Sequence, residues 1–259
     1  TGKRDGIIFW NILKRLIMST KQTTKKFSQN CVICLKIGKL YSHEYVNNLY
    51  KAIREQTDQD VLCFTDDPTG IHPDIYTYDM QPRVSDGWWP TWNKIEIFGR
   101  DELLKYERKF YFDLDLVIQG DLSPIFESKE NWAVIRATWK GIKFRVANPH
   151  EPMYNTSIMT WLDNRWIYER WESDWRTIVK NIVGTDKWYH RSGIKPTFFP
   201  KIFYSYREGY LPRHYWENDM KPCFEYRPEF SVCLFHQEPP ITDLSKDHPL
   251  YKHWSKIDF

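Results

Sequence analysis

Short apolar runs alternate with amphipathic stretches through the first half of the chain. Residues 43–55 place apolar side chains at helical spacing, from Val46 to Ile53, which predicts a helix. The apolar runs are short and bounded by polar or turn-forming residues, which predicts strands. Strands that alternate with helices predict an α/β fold with a mainly parallel sheet. The predicted strands are Cys31–Lys36, Val61–Phe64, Ile75–Tyr78, Lys109–Phe112 and Trp132–Ala137.

The periodicity changes in the second half. An apolar residue recurs every three or four positions from Ile167 to Ile182, which predicts one long helix from about Asn164 to Ile182. The C-terminal third is rich in Tyr, Pro and Phe and has little periodicity. We therefore expect loops and short strands there.

The first 30 residues differ in charge from the rest of the chain, since they hold seven Lys or Arg and one Asp. Residues 6–18 have apolar side chains at helical spacing, with Lys14 and Arg15 turned away, which predicts a basic amphipathic helix. Two interpretations stay open: peripheral contact of residues 1–18 with an anionic membrane or a partner, or packing on the protein's own domain. The opening Thr1-Gly2 also suggests a remnant of recombinant expression.

Composition and charge limit the classes of function. The 259 residues carry 37 Lys or Arg against 34 Asp or Glu, an excess too small for a protein that mainly binds nucleic-acid phosphates. No segment approaches the ~18 consecutive apolar residues of a membrane span. The five cysteines predict buried free thiols and, with no secretory signal, a cytoplasmic location. Cys31 and Cys34 would face opposite sides of a strand, so we expect neither a zinc site nor a redox role for this pair.

The most informative motif is a pair of acids after an apolar strand. Asp113 and Asp115 follow the apolar run 110–112. Residues i and i+2 of an extended segment point the same way, here at the carboxyl edge of a sheet, where α/β proteins bind ligands. Two adjacent carboxylates repel each other unless a cation binds both, and oxygen ligands favour Mg²⁺ or Mn²⁺. The alternative, a surface strand end with two solvated acids, fits the apolar flanks poorly.

Haloacid-dehalogenase-like phosphatases have such a pair. Their pattern is an apolar strand followed by Asp-x-Asp-x-Thr/Val, which residues 113–117 satisfy, and Asp113 would be the nucleophile. That fold begins with the motif strand, whereas here three predicted strands come first. The phosphatase is therefore the weaker alternative.

Residues 106–126 also resemble a segment of the GT-A nucleotide-sugar glycosyltransferases, and the resemblance extends over most of residues 31–240. It is strongest to the retaining branch that contains glycogenin and bacterial lipopolysaccharide glycosyltransferases, with related bacterial and viral enzymes. It implies a GT-A (Rossmann-like) fold, a mixed and mainly parallel sheet flanked by helices, in a single domain with a loop-rich C-terminal acceptor region. It further implies that Asp113, Leu114 and Asp115 bind the donor.

Upstream residues extend the resemblance to the nucleotide. Asp66 and Asp67 follow the second predicted strand, beside which the family binds the uridine base. Lys94 lies where the family has a basic residue that reaches the diphosphate or the donor sugar. The resemblance therefore implies that all three bind the donor, whereas by itself a lysine at this position is typically a solvated helix residue.

Downstream residues extend the resemblance to the pocket for the donor sugar. Residues 154–159 resemble the element that lines the donor-sugar pocket, which implies that Asn155 and Ser157 bind the donor. Asp186 lies where the family has an Asp that binds sugar hydroxyls, although Lys187 replaces the Gln that follows it. With Lys94, Asn155 and Asp186 are the candidate catalytic residues.

The resemblance also supplies a third metal ligand. His236 follows an apolar run as the family's histidine does, and would complete a Mn²⁺ or Mg²⁺ site with Asp113 and Asp115. Residues 237–240 lack the Gly and the phosphate-binding Lys of the family's ending. The charge of the leaving diphosphate would then be met by the metal and by another lysine, either Lys94 or Lys246.

The implied activity is metal-dependent transfer of a hexose from a nucleotide sugar, with UDP the expected nucleotide. The acceptor would be a hydroxyl of a glycan, a lipid-linked glycan or a protein, and the configuration would be retained. Residues 31–125 would form the nucleotide-binding half and residues 126–259 the donor-sugar and acceptor half, after an N-terminal segment 1–30. A catalytically inactive GT-A module that only binds sugar is a further alternative, favoured by the missing Lys and opposed by the intact acid pair.

Overall fold

A seven-stranded sheet forms the centre of the protein. The structure, a computed structural model, describes residues 29–83, 90–211, 222–236 and 239–255. The strands of these residues are β1 (Asn30–Lys36), β2 (Asp60–Thr65), β3 (Tyr76–Asp79), β4 (Arg108–Phe112), β5 (Leu116–Ile118), β6 (Trp132–Arg136), β7 (Tyr154–Trp161), β8 (Thr197–Phe198), β9 (Phe203–Ser205) and β10 (Val232–Leu234). Seven of them form the central sheet in the spatial order β3-β2-β1-β4-β7-β6-β8.

The sheet is mixed and mainly parallel, as predicted. Strands β1 to β4 are parallel to one another, β7 is antiparallel to β4 and β6, and β8 is parallel to β6. All five predicted strands are present, each with ends within one residue of the prediction. Because β1, β2 and β4 end at the same edge, residues 113–115 leave the sheet next to the loops that follow β1 and β2.

Helices cover both faces of the sheet. The predicted helix at 43–55 is confirmed as α1. Short 3-10 helices lie at Pro90–Trp92, Ile97–Gly99, Asp101–Leu103 and Ile241–Asp243. The α-helices of the described residues are α1 (His43–Arg54), α2 (Asn93–Glu96), α3 (Ser123–Phe126), α4 (Ile142–Ala147), α5 (Arg165–Glu172), α6 (Trp175–Asn181), α7 (Thr185–Arg191) and α8 (Pro249–Ser255).

The prediction of one long helix from Asn164 to Ile182 is wrong, because the chain forms two helices, α5 and α6, with a break at 173–174. Asp174 leaves helical geometry, with φ −149° and ψ 32°. Ser173 donates its hydroxyl to the carbonyl of Arg170. Ser and Asp side chains favour such local bonding over a continuous helix. The apolar stripe nevertheless continues across the break, since the rings of Trp171 and Trp175 are 6.0 Å apart.

Two hydrophobic cores lie on opposite faces of the sheet. Alternate residues of β1 divide between them: Val32 and Cys34 belong to one core and Cys31 and Ile33 to the other. This confirms that Cys31 and Cys34 face opposite sides. All five cysteines are free thiols, and all but Cys223 are buried.

The C-terminal third contains the predicted loops and strands of two or three residues, but also the helices α7 and α8, which were not predicted. Three of the short strands form a second sheet in the order β5-β10-β9. The segment 1–28, including the predicted helix at 6–18, lies outside the described residues. Among those that are described, no helix is long and apolar enough to span a membrane. The division of the chain at residue 125 stays a prediction.

Candidate active site

Two acidic side chains follow the central strand β4. Asp113 continues the pairing of β4 with β7, since its backbone N–H donates to the carbonyl of Ser157 at 2.7 Å. Its carboxylate accepts a hydrogen bond from the Tyr111 hydroxyl at 2.6 Å. Asp115 lies two residues further on, close enough for the charge of Asp113 to act on it. The structure thus brings the predicted acid pair together at the carboxyl edge of the sheet.

Lys94 is a buried cation next to this pair of acids. It lies on α2 and is only 4% exposed. Its Nζ is 2.9 Å from the Asp113 carboxylate, 3.2 Å from the Thr156 carbonyl oxygen, and 4.9 Å from the centre of the Tyr111 ring. A buried ammonium group requires such partners because burial removes its hydration. The alternative of a solvated helix lysine is therefore wrong.

The surroundings of Asp115 raise the pKa of its carboxyl group. Burial, together with the neighbouring charge of Asp113, raises its pKa to about 6, while Lys94 acts in the opposite direction. The Tyr41 hydroxyl hydrogen-bonds to its carboxylate. Two carboxylates held this close in a part-buried site favour the binding of a cation.

A cavity of about 210 Å³ opens beside these residues. Its lining includes the apolar side chains of Leu35, Ile37 and Leu40. It also includes three charged side chains, those of Lys94 and the two aspartates. Tyr41, Thr91, Tyr111 and Leu114 complete the lining. The cavity therefore offers an apolar and aromatic surface next to a charged one.

The second sheet brings His236 towards the acid pair. Pairing of β5 with β10 continues to Asp115, whose carbonyl accepts the N–H of Phe235 at 2.8 Å. The His236 ring stacks on Trp139 at 5.2 Å, and its Nε2 is 3.2 Å from the Ser205 hydroxyl. Its buried Nδ1 has no hydrogen-bond partner among the described residues. Burial, aided by nearby cations, lowers the pKa of His236 to about 4, so the imidazole is neutral at pH 7.

Strand β7 has an irregular register where it passes the site. Val134 pairs with Met159, but Ile135 pairs with Asn155, so residues 156–158 bulge out of the β6 ladder. Within this bulge, Asn155 accepts the N–H of Ser157 at 2.9 Å. The sequence-predicted residues Asn155 and Ser157 thus bond to each other and shape the strand next to Lys94.

Asp186, at the start of α7, faces the same bulge. Its carboxylate accepts a hydrogen bond from the Thr156 hydroxyl, and Tyr154 donates its hydroxyl to the Asp186 carbonyl at 3.2 Å. Burial raises the pKa of Asp186, whereas Lys94, Thr156 and Lys140 lower it. Asp186 is therefore part of the same electrostatic cluster as Lys94.

Asp66 and Asp67 lie in the loop after β2 and do not line the cavity. The Asp66 carboxylate accepts the N–H of Gly38 at 2.9 Å, and Asp67 accepts the N–H of Thr69 at 3.0 Å. Asp66 therefore joins the loops after β1 and β2. Neither acid contacts the Asp113 cluster in the described contacts.

The predicted metal ligands fit a divalent cation in their chemistry. Two adjacent carboxylates and a neutral imidazole with an unpartnered Nδ1 are ligands that Mn²⁺ or Mg²⁺ accepts. No group of three or more His, Cys, Asp or Glu side chains in the described part of the chain is arranged to hold a metal ion. The structure thus brings Asp113 and Asp115 together without gathering His236 into the same cluster, and the three-ligand site stays a prediction.

Solved glycosyltransferases share this architecture. An active-site mutant of LgtC matches with a TM-score of 0.59 at 10% identity, over 88% of this chain and 94% of that one. The apo form of the glycosyltransferase GlyE of Streptococcus pneumoniae TIGR4 matches with a TM-score of 0.54 at 11% identity, over 89% of this chain and 60% of that one. The chain has the GT-A glycosyltransferase fold.

The bifunctional glycosyltransferase WbbM, in its apo form, matches with a TM-score of 0.54 at 11% identity, over 85% of this chain and 48% of that one. The GT-A chain thus spans less than two thirds of GlyE and about half of WbbM. No protein-family model matches it, and no curated protein sequence does.

Several residues of the site were not predicted from the sequence. Tyr111 lies within the acidic motif, two positions before Asp113, so strand alternation could have identified it. Tyr41, Trp139 and Ser205 have no such signal, because they reach the site from three separate loops and strands. Only the tertiary structure shows their contacts.

Proposed function

We propose that the protein transfers a sugar from a nucleotide-sugar donor to an acceptor hydroxyl. The observation that carries the proposal is the pair Asp113 and Asp115 at the end of β4, beside a cavity lined by both apolar and charged residues, within a GT-A fold. A nucleoside diphosphate bound with a divalent cation would match this lining, because its flat base can pack on apolar and aromatic side chains while the cation lies between the diphosphate and the two carboxylates. Glycosyltransferases of the same fold support sugar transfer over other uses of such a cavity.

The base of the nucleotide would pack on the apolar residues of the cavity, and its diphosphate would lie beside the charged ones. Leu40 and Tyr41 offer the base an apolar surface and a ring face. Asp66 and Asp67 lie on the adjoining loop, where they would limit the space around the base and ribose. The diphosphate would then lie at Asp113 and Asp115.

A divalent cation is the expected partner of the acid pair. Asp113 and Asp115 would hold Mn²⁺ or Mg²⁺ together with His236, whose neutral imidazole is the form that ligates metals. The chemistry such an ion supplies is Lewis-acid stabilisation of the departing nucleoside diphosphate. Lys94 adds a second, protein-borne cation, which the Thr156 carbonyl and the Asp113 carboxylate hold in place.

The donor sugar would lie next to the bulge of β7. Asn155 and Ser157 shape this strand, and Asp186 presents a carboxylate that can accept hydrogen bonds from sugar hydroxyls. No side chain here is singled out as a covalent nucleophile, so we favour attack of the acceptor hydroxyl from the face that the leaving group departs, with retention. We propose a UDP-hexose as donor and a glycan, a lipid-linked glycan or a protein as acceptor.

Nucleotide release from a panel of sugar donors tests the proposal. The full chain is incubated with Mn²⁺ and UDP-glucose, UDP-galactose, UDP-N-acetylglucosamine or GDP-mannose, and free nucleoside diphosphate is measured. We expect release from at least one UDP-sugar and a loss on the order of 10²-fold or more in Asp113→Asn. Asp58→Asn, which changes an exposed aspartate outside the site, is the matched control. No release from any donor would contradict sugar transfer.

The same assay separates the alternatives. An inactive sugar-binding module would bind a donor without releasing nucleotide. The phosphatase alternative is opposed by the fold, because β1, β2 and β3 precede the motif strand β4. Asp113 is also bound to Lys94 and Tyr111, which makes it a weaker nucleophile.

A further inference from the structure

A polar groove of about 470 Å³ lies far from the acid pair. Three segments form it: the loop and strand start at 129–132, the start of α5, and the loop that leads into β8. Its volume is within the ~300–1,000 Å³ range of ligand sites in proteins. The groove belongs to no part of the proposed active site.

The groove lies at the opposite edge of the central sheet. Trp132, at the beginning of β6, lines it, whereas Arg136, at the end of β6, pairs with Tyr154 next to Asp186. The two residues are four positions apart along the strand, which corresponds to about 13 Å at ~3.3 Å per residue. A ligand in this groove and a nucleotide at Asp113 would therefore not compete for space.

Hydrogen bonds to backbone carbonyls hold the walls of the groove in position. Arg108 donates to the carbonyl of Glu130 at 2.6 Å, and the Leu162 N–H donates to that of Asn131 at 3.3 Å. The Thr197 hydroxyl donates to the carbonyl of Trp132 at 2.8 Å. These bonds connect the three segments, so the groove is formed before a ligand binds.

Trp166 supplies the main apolar surface of the groove. It lines the groove and is 46% exposed, so its ring is accessible to a ligand. Trp132 is 7% exposed, and its indole N–H has no hydrogen-bond partner among the described residues. Trp166 thus presents its ring to the groove, whereas Trp132 belongs to the buried wall, with its indole N–H out of reach of a ligand.

Four polar side chains of the groove form no hydrogen bond or ion pair within the described part of the chain. The amides of Asn131 and Asn164 have no hydrogen-bond partner within the described part of the chain, and Lys129 and Lys195 form no ion pair there. An exposed ring surrounded by free amides and ammonium groups fits a ligand with an apolar face and many hydroxyls. A pyranose ring has this character, whereas a lipid or an apolar protein surface does not.

We propose that this groove is a second saccharide-binding site, with a pyranose ring stacked on Trp166 and its hydroxyls bonded to the amides of Asn131 and Asn164. Lys129 and Lys195 outnumber Glu130, the one acid of the lining, and would favour a saccharide that carries acidic groups. The proposal does not depend on sugar transfer at Asp113, because binding here requires neither donor nor metal.

Isothermal titration of the full chain with maltohexaose, chitohexaose and hexagalacturonate, without metal or nucleotide, tests the proposal. We expect at least one probe to bind with Kd below ~1 mM. Trp166→Ala should weaken that binding by about tenfold or more, and Trp166→Tyr should restore most of it, since a ring remains to stack. Leu104→Ala, at a residue 66% exposed and outside the groove, is the matched control.

Three results would overturn the second site. The first is binding of none of the three probes. The second is binding that Trp166→Ala leaves unchanged, in a variant whose circular dichroism spectrum is native. The third is loss of binding in Asp113→Asn, which would move the saccharide to the active site.

Discussion

Replacing Lys94 with methionine should destabilise the protein, because it leaves the Asp113 carboxylate without its cation. Methionine keeps the apolar stem but has neither charge nor hydrogen-bond donor. Removing one member of a buried ion pair typically costs ~3–5 kcal/mol. The Asp113 side chain is 22% exposed and still accepts from Tyr111, so water and the phenol retain part of its stabilisation. We therefore expect a loss of about 2–3 kcal/mol in the free energy of unfolding.

A double-mutant cycle isolates the interaction. Unfolding in urea is followed by circular dichroism at pH 7 without divalent cations, for the wild type, Lys94→Met, Asp113→Asn and the double variant. Because the two side chains share one ion pair, we expect a coupling energy of about 2 kcal/mol. Lys180→Met, at an exposed position of α6, is the control and should change stability by less than about 0.5 kcal/mol.

A coupling energy below about 0.5 kcal/mol would refute this account of Lys94. The kinetic consequence is separate. Under the proposed function, Lys94→Ala removes a cation from a place where charge develops on the leaving diphosphate, so kcat should fall more than the donor KM rises. An unchanged kcat would leave Lys94 with a structural role only.

Four further results are expected. EDTA or Asp115→Asn should each lower nucleotide release on the order of 10²-fold or more, and full activity in EDTA would contradict metal dependence. Beryllium fluoride should form no stable adduct with Asp113, and p-nitrophenyl phosphate should not be hydrolysed; hydrolysis of this ester with all nucleotide sugars left intact would favour the phosphatase. Deleting residues 1–18 should abolish binding to anionic vesicles, since each cation contributes roughly 1 kcal/mol there, and should leave donor hydrolysis intact; absence of salt-sensitive binding in the full chain would rule the membrane contact out. Gly209→Ala should lower stability by about 1–3 kcal/mol, because φ is +77° and the new Cβ would lie 2.9 Å from Cys223 Sγ; an unchanged melting temperature would show that this turn relaxes freely.

Local sequence was sufficient for the strands and for the acid pair. Each predicted strand combines an apolar run with turn-forming ends, and burial on both faces of a parallel sheet requires such runs. Asp113 and Asp115 could be assigned to the sheet edge because they directly follow one of these runs. Backbone geometry then determines the direction of both side chains.

The sequence did not show whether the helix predicted from Asn164 to Ile182 is continuous. The apolar stripe from Ile167 to Ile182 reports which face is buried, and that face is the same in α5 and α6. The break at Ser173 and Asp174 depends on local hydrogen bonds that the stripe does not encode. Periodicity therefore identified the buried surface correctly and the helix length wrongly.

Contacts across the fold were decided only by the tertiary structure. Lys94 is separated from Asp113 by 19 positions, and its partnership with that carboxylate, with the Thr156 carbonyl and with the Tyr111 ring arises from the packing of α2 on the sheet edge. His236 lies near the site because β10 pairs with β5. Both strands have only three residues, which is too short for a periodic pattern to predict their pairing. Strand pairing and burial bring distant residues together without a recognisable local pattern. The residue pattern therefore predicted the acid pair, whereas residues such as Lys94 and His236 were assigned to the site only through the family resemblance.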